Sequence, residues 1–206
     1  MKVYVLEVGM LATNCYIAVN EELKEGVVVD PGGDAERIIE QIKKLGITVK
    51  AIFITHGHSD HIMALSEVRK ATGAPVYVSR EDADMLTKAD RNLSIYINNG
   101  LECDPAEHFY GDGDVLTVAG MEFTVYATPG HTKGGVCIKC GDIVFCGDTV
   151  FCESIGRTDL PGGSYKEILQ SIKNKILPMA DDTKLLPGHG PATTVGWERR
   201  RNPFLQ

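Results

Sequence analysis

Thr55-His56-Gly57-His58-Ser59-Asp60-His61 is the stretch of sequence that decides how this chain is interpreted. Two histidines at positions i and i+2 of a loop can face one metal ion, and Asp60 and His61, further round the turn, can face a second. Histidine is the commonest neutral ligand for zinc near neutral pH, and carboxylates complete or bridge such sites. The stretch therefore predicts a metal centre. A histidine-rich helix cap is the alternative, and the rest of the chain disfavours it.

Ligand-type residues follow four other predicted strands in the same way. Short apolar runs bounded by Pro and Gly predict strands, and a sharp strand end lets the next side chain project from the sheet edge. Five of the six histidines lie at such ends, and His108 is the exception, which we expect on the surface of a loop. A scaffold that brings several strand ends to one rim builds a site from its loops. The predicted strands are 27–29 before Asp30, 51–54 before His56, 123–126 before His131, 143–145 before Asp148, and 184–186 before His189.

Helical patterns alternate with these strands. Residues 34–44, 62–70 and 164–176 carry apolar residues at helical spacing, with Gly46 as a stop and Ser164 followed by Glu167 as a capping box. Residues 1–8 predict a further strand, 141–142 a hairpin turn, and 89–112 a loop or short helices. The pattern indicates a mixed α/β fold with helices outside the sheets, and the lack of a linker favours a single domain over residues 1–206.

Composition excludes several classes of protein. A net charge of −7 argues against binding to nucleic acid through phosphate contacts, and the basic run at 199–201 is typical of a solvated helix end. No run approaches the roughly 18 apolar residues of a membrane helix, so we expect no membrane partner. Six cysteines in 206 residues do not form a disulfide framework, and Cys137 and Cys140 are expected to be buried thiols. The prediction is a cytoplasmic protein.

Four single residues are candidates for supporting roles. Asp30 either orients a ligand histidine from behind or caps the helix predicted over 34–44. Asn14, Tyr16 and Arg157 are candidates for contact with substrate.

The ordered motif His-x-His-x-Asp-His, then a lone His, an Asp and a final His, resembles that of the metallo-beta-lactamase superfamily over nearly the whole chain. The resemblance implies a four-layer αββα sandwich with the metals at one edge of the two sheets. It implies two divalent metal ions, with zinc expected first and iron or manganese as alternatives. By position, one ion is held by His56, His58 and His131, the other by Asp60, His61 and His189, and Asp148 bridges the two.

Within this superfamily the chain is most similar to the glyoxalase II group, the hydroxyacylglutathione hydrolases, in a short form. The segments that carry this likeness are 30–33, 128–132, 147–151, 156–157 and 186–190. The resemblance implies that a small-molecule thioester or ester is hydrolysed by a hydroxide shared between the metals, with Asp60 orienting the nucleophile as well as ligating. A thiolate leaving group needs little protonation, so a thioester fits better than a beta-lactam.

Other functions share the same motif. A mononuclear-iron persulfide dioxygenase of this fold uses the positions of His56, His131 and Asp148, and a lactonase or esterase suits the same hydroxide. The acidic balance disfavours the nucleic-acid phosphodiesterases of the fold. A non-enzymatic, metal-stabilised binding module needs only four closed ligands, whereas seven competent ones are present here. The sequence does not predict the oligomeric state.

Overall fold

Two six-stranded β-sheets pack face to face in the structure, a computed structural model that describes residues 1–96 and 100–206. The first sheet has the spatial order β1 (Lys2–Val8), β2 (Thr13–Asn20), β3 (Glu25–Val29), β4 (Thr48–Phe53), β5 (Val76–Ser79) and β6 (His108–Tyr110). The second has the order β14 (Thr193–Thr194), β13 (Lys184–Pro187), β10 (Ile143–Gly147), β9 (Val136–Cys140), β8 (Met121–Ala127) and β7 (Val115–Val118). A separate hairpin pairs β11 (Val150–Phe151) with β12 (Ser154–Ile155).

Helices pack on the outer faces of both sheets. They are α1 (Ala35–Leu45), α2 (Ser59–Ile62), α3 (Leu65–Thr72), α4 (Ala83–Thr87), α5 (Tyr165–Ser171) and α6 (Val195–Arg201). A 3-10 turn covers Ser94–Tyr96, and a π-helical turn over Ile172–Ile176 continues α5.

Alternating side chains of the central strands divide the interior into three apolar layers. Val27 and Val29 of β3 pack between the sheets, whereas Val28 packs under α1 and α3. In β10, Phe145 faces the other sheet and Val144 faces α5. Because successive strand residues point to opposite faces and both faces are covered, these strands are continuous apolar runs. The layering confirms the predicted αββα sandwich.

Parallel pairing places the candidate ligands at one edge. Strand β4 pairs in parallel with both β3 and β5, and β10 pairs in parallel with β13. The carboxyl ends of parallel neighbours meet at the same edge of a sheet, where open α/β folds build their sites. Asp30 and His56 therefore leave the first sheet side by side, as Asp148 and His189 leave the second.

The predicted helices are found with altered bounds. Gly46 ends α1 in a left-handed conformation, as expected. The helix predicted over 62–70 is two helices, α2 and α3, and the one over 164–176 changes to π geometry after Ser171. Ser164 caps α5 by accepting from the Glu167 amide, but its own amide donates to Gly130 O, so only half of the capping box forms.

Remaining predictions concern the surface and the thiols. His108 is exposed, as predicted, but it lies in the edge strand β6 rather than in a loop, and residues 97–99 of the stretch predicted over 89–112 lie outside the described residues. Cys137 and Cys140 are buried and free, and the turn at 141–142 joins β9 to β10. Within the described ranges, no helix has both the length and the apolarity needed to cross a membrane.

Candidate metal centre

All seven candidate metal ligands meet at the shared edge of the two sheets. His56, His58 and His131 offer nitrogens that lie within 4.8 Å of one another, and we call this group the three-histidine cluster. Asp60, His61 and His189 are equally close to one another and form the carboxylate cluster. A third group of His56, His61 and Asp148 joins the two.

The three-histidine cluster is buried, and two of its members, His56 and His58, are uncharged. His58 Nδ1 lies 2.9 Å from His131 Nε2, and the Nδ1 atom on the far side of the His131 ring lies 2.7 Å from the backbone oxygen of Arg157. Burial, followed by the neighbouring histidines, holds the pKa of His56 well below its ordinary value. Burial and His131 likewise lower the pKa of His58 to about 3. The two imidazoles are therefore neutral and offer lone pairs, as metal ligation requires.

The carboxylate cluster has the opposite electrostatics. His189 Nε2 lies 3.1 Å and His61 Nε2 3.6 Å from Asp60 Oδ2. Burial alone would lower the pKa of His61, but the carboxylates of Asp60, Asp148 and Asp30 outweigh it and raise this pKa well above its ordinary value. Burial opposes ionisation of Asp60 as well, yet His61 and His189 hold its pKa below the usual range. In this half of the site, the negative carboxylates and the histidines stabilise each other's charged forms.

Asp148 lies between the clusters. Its Oδ1 is 3.3 Å from His61 Nε2, and its Oδ2 is 3.5 Å from His131 Nε2 and 3.6 Å from His189 Nε2. Gly188 makes room for this arrangement, because a Cβ at that position would overlap the Asp148 carboxylate and the His61 ring. One carboxylate thus reaches ligands of both halves.

Polar atoms left without partners test whether metal ions suit this site. Among the described residues, the buried atoms His56 Nε2, His61 Nε2 and Asp148 Oδ1 make no hydrogen bond, although the last two lie 3.3 Å apart. Buried polar atoms are nearly always satisfied, so three such atoms in one place require an explanation. Imidazole nitrogens and carboxylate oxygens are ligands that divalent zinc, iron and manganese accept. The donor set fits divalent metal ions.

Asp30 supports the carboxylate cluster from behind. Its Oδ1 accepts from the Thr55 amide at 2.8 Å, and its Oδ2 accepts from Thr55 Oγ1 at 2.6 Å and lies 2.9 Å from His61 Nδ1. Asp34, not Asp30, precedes α1. Of the two roles predicted for Asp30, the geometry is that of a residue orienting a ligand histidine.

Asp82 supports the three-histidine cluster, and the sequence did not single it out. This buried carboxylate accepts from the Gly57 amide at 3.1 Å, the Thr132 hydroxyl at 2.7 Å and the Gly134 amide at 2.8 Å. It therefore ties the loop of His56 and His58 to the loop of His131. Asp82 follows β5, a strand that was not predicted, and a polar residue after a further strand end was the available clue.

Asn14 and Tyr16, two candidates for contact with substrate, make hydrogen bonds inside the protein. Both are buried in β2; Asn14 Nδ2 donates to Pro187 O at 3.0 Å and to Gly190 O at 2.8 Å, and the Tyr16 hydroxyl donates to Pro187 O at 2.7 Å. Their polar groups are used in holding the loop that carries His189. Neither side chain lines the described cavity over the metal ligands, and their contact with substrate stays a prediction. Arg157 lines that cavity, and its contact with substrate stays a prediction.

Comparison with known proteins gives the same family. A family model described as the metallo-beta-lactamase superfamily matches residues 8–189. The hydroxyacylglutathione hydrolase GloC of Haemophilus influenzae is 34% identical over 100% of this chain and 98% of its own length.

Two solved structures extend the likeness to the whole fold. The B3 metallo-beta-lactamase BLEG-1 is 39% identical with a TM-score of 0.96, and the match covers 100% of both chains. TTHA1623, solved in a di-iron-bound form, is 33% identical with a TM-score of 0.87 over 98% of this chain and 100% of that one.

Proposed function

We propose that this chain, which belongs to the metallo-beta-lactamase superfamily of metal-dependent hydrolases, is a thioesterase of the glyoxalase II type that uses two divalent metal ions to cleave hydroxyacyl thioesters. The observation that carries the proposal is the sorting of seven donors into two clusters joined by Asp148. The likeness to a hydroxyacylglutathione hydrolase supports the choice of a thioester.

The ligand assignment follows the clusters. His56, His58 and His131 would hold one ion, Asp60, His61 and His189 the other, and Asp148 would contact both. When bound, a pair of such ions lowers the pKa of water toward 7 and polarises a carbonyl. Zinc is the first expectation, and the di-iron form of TTHA1623 makes iron the principal alternative.

We assign to Asp60 the role of orienting the nucleophilic water. Its Oδ2 contacts His189 at 3.1 Å and accepts from the Thr13 hydroxyl at 3.3 Å, which holds the carboxylate in one orientation. The same side chain lines the cavity, where it can accept a hydrogen bond from the attacking water.

The scarcity of proton donors in the described cavity lining favours a substrate whose leaving group needs little protonation, such as a thioester. Apart from the metal-ligand candidates, the described cavity lining includes no carboxylic acid, lysine or histidine that could protonate an amine. A thiolate departs with little protonation because the pKa of a thiol is roughly 8.5.

The test is thiol release from lactoyl thioesters by the metal-loaded protein and by a His131→Ala variant. We expect the variant to lose both activity and bound metal. His108→Ala is the matched control, since His108 is exposed and outside the site, and it should keep both. Full activity in metal-free protein, or no hydrolysis of any hydroxyacyl thioester by fully loaded protein, would overturn the proposal.

A beta-lactamase is the second candidate, because BLEG-1 matches the chain along its full length. Its test is hydrolysis of a chromogenic cephalosporin by the same preparation. The persulfide dioxygenase alternative predicts one iron per chain and oxygen uptake with a persulfide, whereas the proposed hydrolase predicts two divalent ions and no oxygen uptake.

A further inference from the structure

The cavity over the metal ligands has a volume of about 690 Å³ and mostly apolar walls. These walls come from the loop after β1, the 3-10 turn, the β11–β12 hairpin and the loop before α5. Their apolar side chains are Leu11, Leu93, Tyr96, Phe151, Ile155 and Leu160. Tyr96 and Leu11 stand at the rim, with 79% and 51% of their surface exposed. Exposed apolar side chains grouped around a cavity indicate an apolar ligand.

Positive charge is scarce in the same walls. Among the described lining residues, Arg157 is the one Lys or Arg. Its Nε and Nη2 atoms each donate at 2.8 Å to a carboxylate oxygen of Asp159. The paired guanidinium and carboxylate present no net charge, so an anionic ligand group against these walls, away from the metal ligands, would meet no unpaired Lys or Arg among the described lining residues.

Burying a carboxylate without a partner is costly, whereas an apolar group gains by leaving water. Glutathione carries two carboxylates, and the walls of this cavity complement neither of them. The apolar lining and the charge of the cavity therefore favour the same kind of substrate.

We propose that the substrate is an uncharged thioester whose apolar portion fills this cavity, in preference to a thioester of an anionic thiol. The inference rests on the proposed thioester hydrolysis and adds the chemical class of the group that is recognised.

Two substrates with one acyl group separate the inference from the proposed function. The lactoyl thioesters of benzyl mercaptan and of glutathione share the scissile bond and differ in the charge and apolarity of the thiol. We expect kcat/KM for the benzyl thioester to be higher by about tenfold or more, the scale on which an apolar pocket discriminates. A higher value for the glutathione thioester would overturn the inference and leave the thioesterase standing. If neither is hydrolysed, both are overturned.

Substitutions in the cavity wall test whether these residues determine the preference between the two thioesters. Leu160→Lys should lower kcat/KM for the benzyl thioester and raise it for the glutathione thioester. The matched control is Leu23→Lys, at an exposed leucine outside the cavity, which should leave the ratio of the two unchanged. An unchanged ratio in a folded, metal-loaded Leu160→Lys protein would overturn the assignment.

Asp159→Asn provides a second variant that does not disturb the interior, because Asp159 is exposed. Removal of this carboxylate frees Arg157. We expect kcat/KM for the glutathione thioester to rise severalfold, with little change for the benzyl thioester. No rise would contradict the role given to the Arg157–Asp159 pair.

Discussion

The three-histidine cluster and the carboxylate cluster differ in what holds their ligands. Asp82, behind the first, contacts the backbone amides of Gly57 and Gly134 and the Thr132 hydroxyl, but no ligand ring. Asp30, behind the second, contacts the ring of His61. The carboxylate behind the first cluster therefore acts through the loops, whereas the carboxylate behind the second acts on a ligand ring directly.

Charge follows the same division. Burial lowers the pKa values of His56 and His58, whereas neighbouring carboxylates raise those of His61 and His189 against the effect of burial. The first cluster offers neutral nitrogens from His56 and His58, whereas in the second a carboxylate is paired with histidines of raised pKa. We expect each cluster to lose metal affinity separately when its own supporting carboxylate, Asp82 or Asp30, is replaced. Both clusters should lose metal affinity when Asp148 is replaced.

Asp148→Asn should have the largest effect, because Asp148 lies between the clusters. The substitution keeps the size of the side chain and removes the charge that both halves share. We expect metal content to fall in both halves and kcat/KM to drop by about 10³-fold or more, since metal catalysis contributes several kcal/mol. Asp142→Asn, at an exposed turn before the same strand, is the control. Two tightly bound ions with normal turnover in Asp148→Asn would contradict the bridge.

Asp30→Asn should damage the carboxylate cluster alone. Asp30 has a left-handed backbone with φ of 51°, which asparagine also tolerates, so the variant tests the carboxylate and not the backbone. Loss of such support behind a ligand costs about 10–100-fold in metal affinity or activity. We expect metal titration to show weaker binding of the ion at the carboxylate cluster, while the ion at the three-histidine cluster stays bound.

Asp34→Asn is the matched control for this prediction. Asp34 is also left-handed, with φ of 50°, but its side chain is half exposed and bonds to the Gly9 amide outside the site. Equal loss of both ions in Asp30→Asn would show that the clusters are not separable.

Asp82→Asn should weaken metal binding at the three-histidine cluster and leave the carboxylate cluster intact. The loss of affinity should be smaller than that expected for Asp30→Asn. The oxygen of an asparagine side chain can accept from only one of the Gly57 and Gly134 amides, so its NH2 group faces the other donor, which costs about 1–3 kcal/mol of unfolding free energy. Since the metal ligands themselves are untouched, we expect the three-histidine cluster to bind its ion about tenfold more weakly. Asp84→Asn, an exposed neighbour paired with Lys88, controls for the loss of a charge. Weakening confined to the carboxylate cluster would refute the assignment.

The sequence predicted the candidate ligands better than their supports, for a physical reason. His56, His131, Asp148 and His189 follow Pro, Gly or Thr at the ends of apolar strands, and such local patterns are visible without a partner. Asp82 acts through residues that lie 25 to 52 positions away in the chain. Nothing in its own neighbourhood indicates those contacts.

The prediction of the fold was limited in the same way, because local sequence patterns do not indicate contacts between distant segments. Continuous apolar runs predicted the central strands, because both faces of those strands are buried. Edge strands such as β6 and β14 are short and partly exposed, so their residues carry little pattern. The parallel pairing that joins the strand ends depends on contacts between distant segments and became visible only in the structure.

Tyr16→Phe should have the smallest effect, and it tests whether β2 supports the loop that carries His189. The hydroxyl donates to Pro187 O at 2.7 Å across 171 residues of sequence, so its removal leaves a carbonyl of the His189 loop without this donor. A hydrogen bond of this kind contributes about 1 kcal/mol, which corresponds to a fall in Tm of roughly 2–4 °C. We expect kcat to decline slightly and KM to be unchanged, because the side chain anchors a loop and does not touch substrate. Tyr165→Phe, at an exposed tyrosine in α5, should change neither Tm nor kcat. An increase in KM without a change in Tm would instead place the Tyr16 hydroxyl against the substrate, and the loop that carries His189 would then not depend on this hydrogen bond.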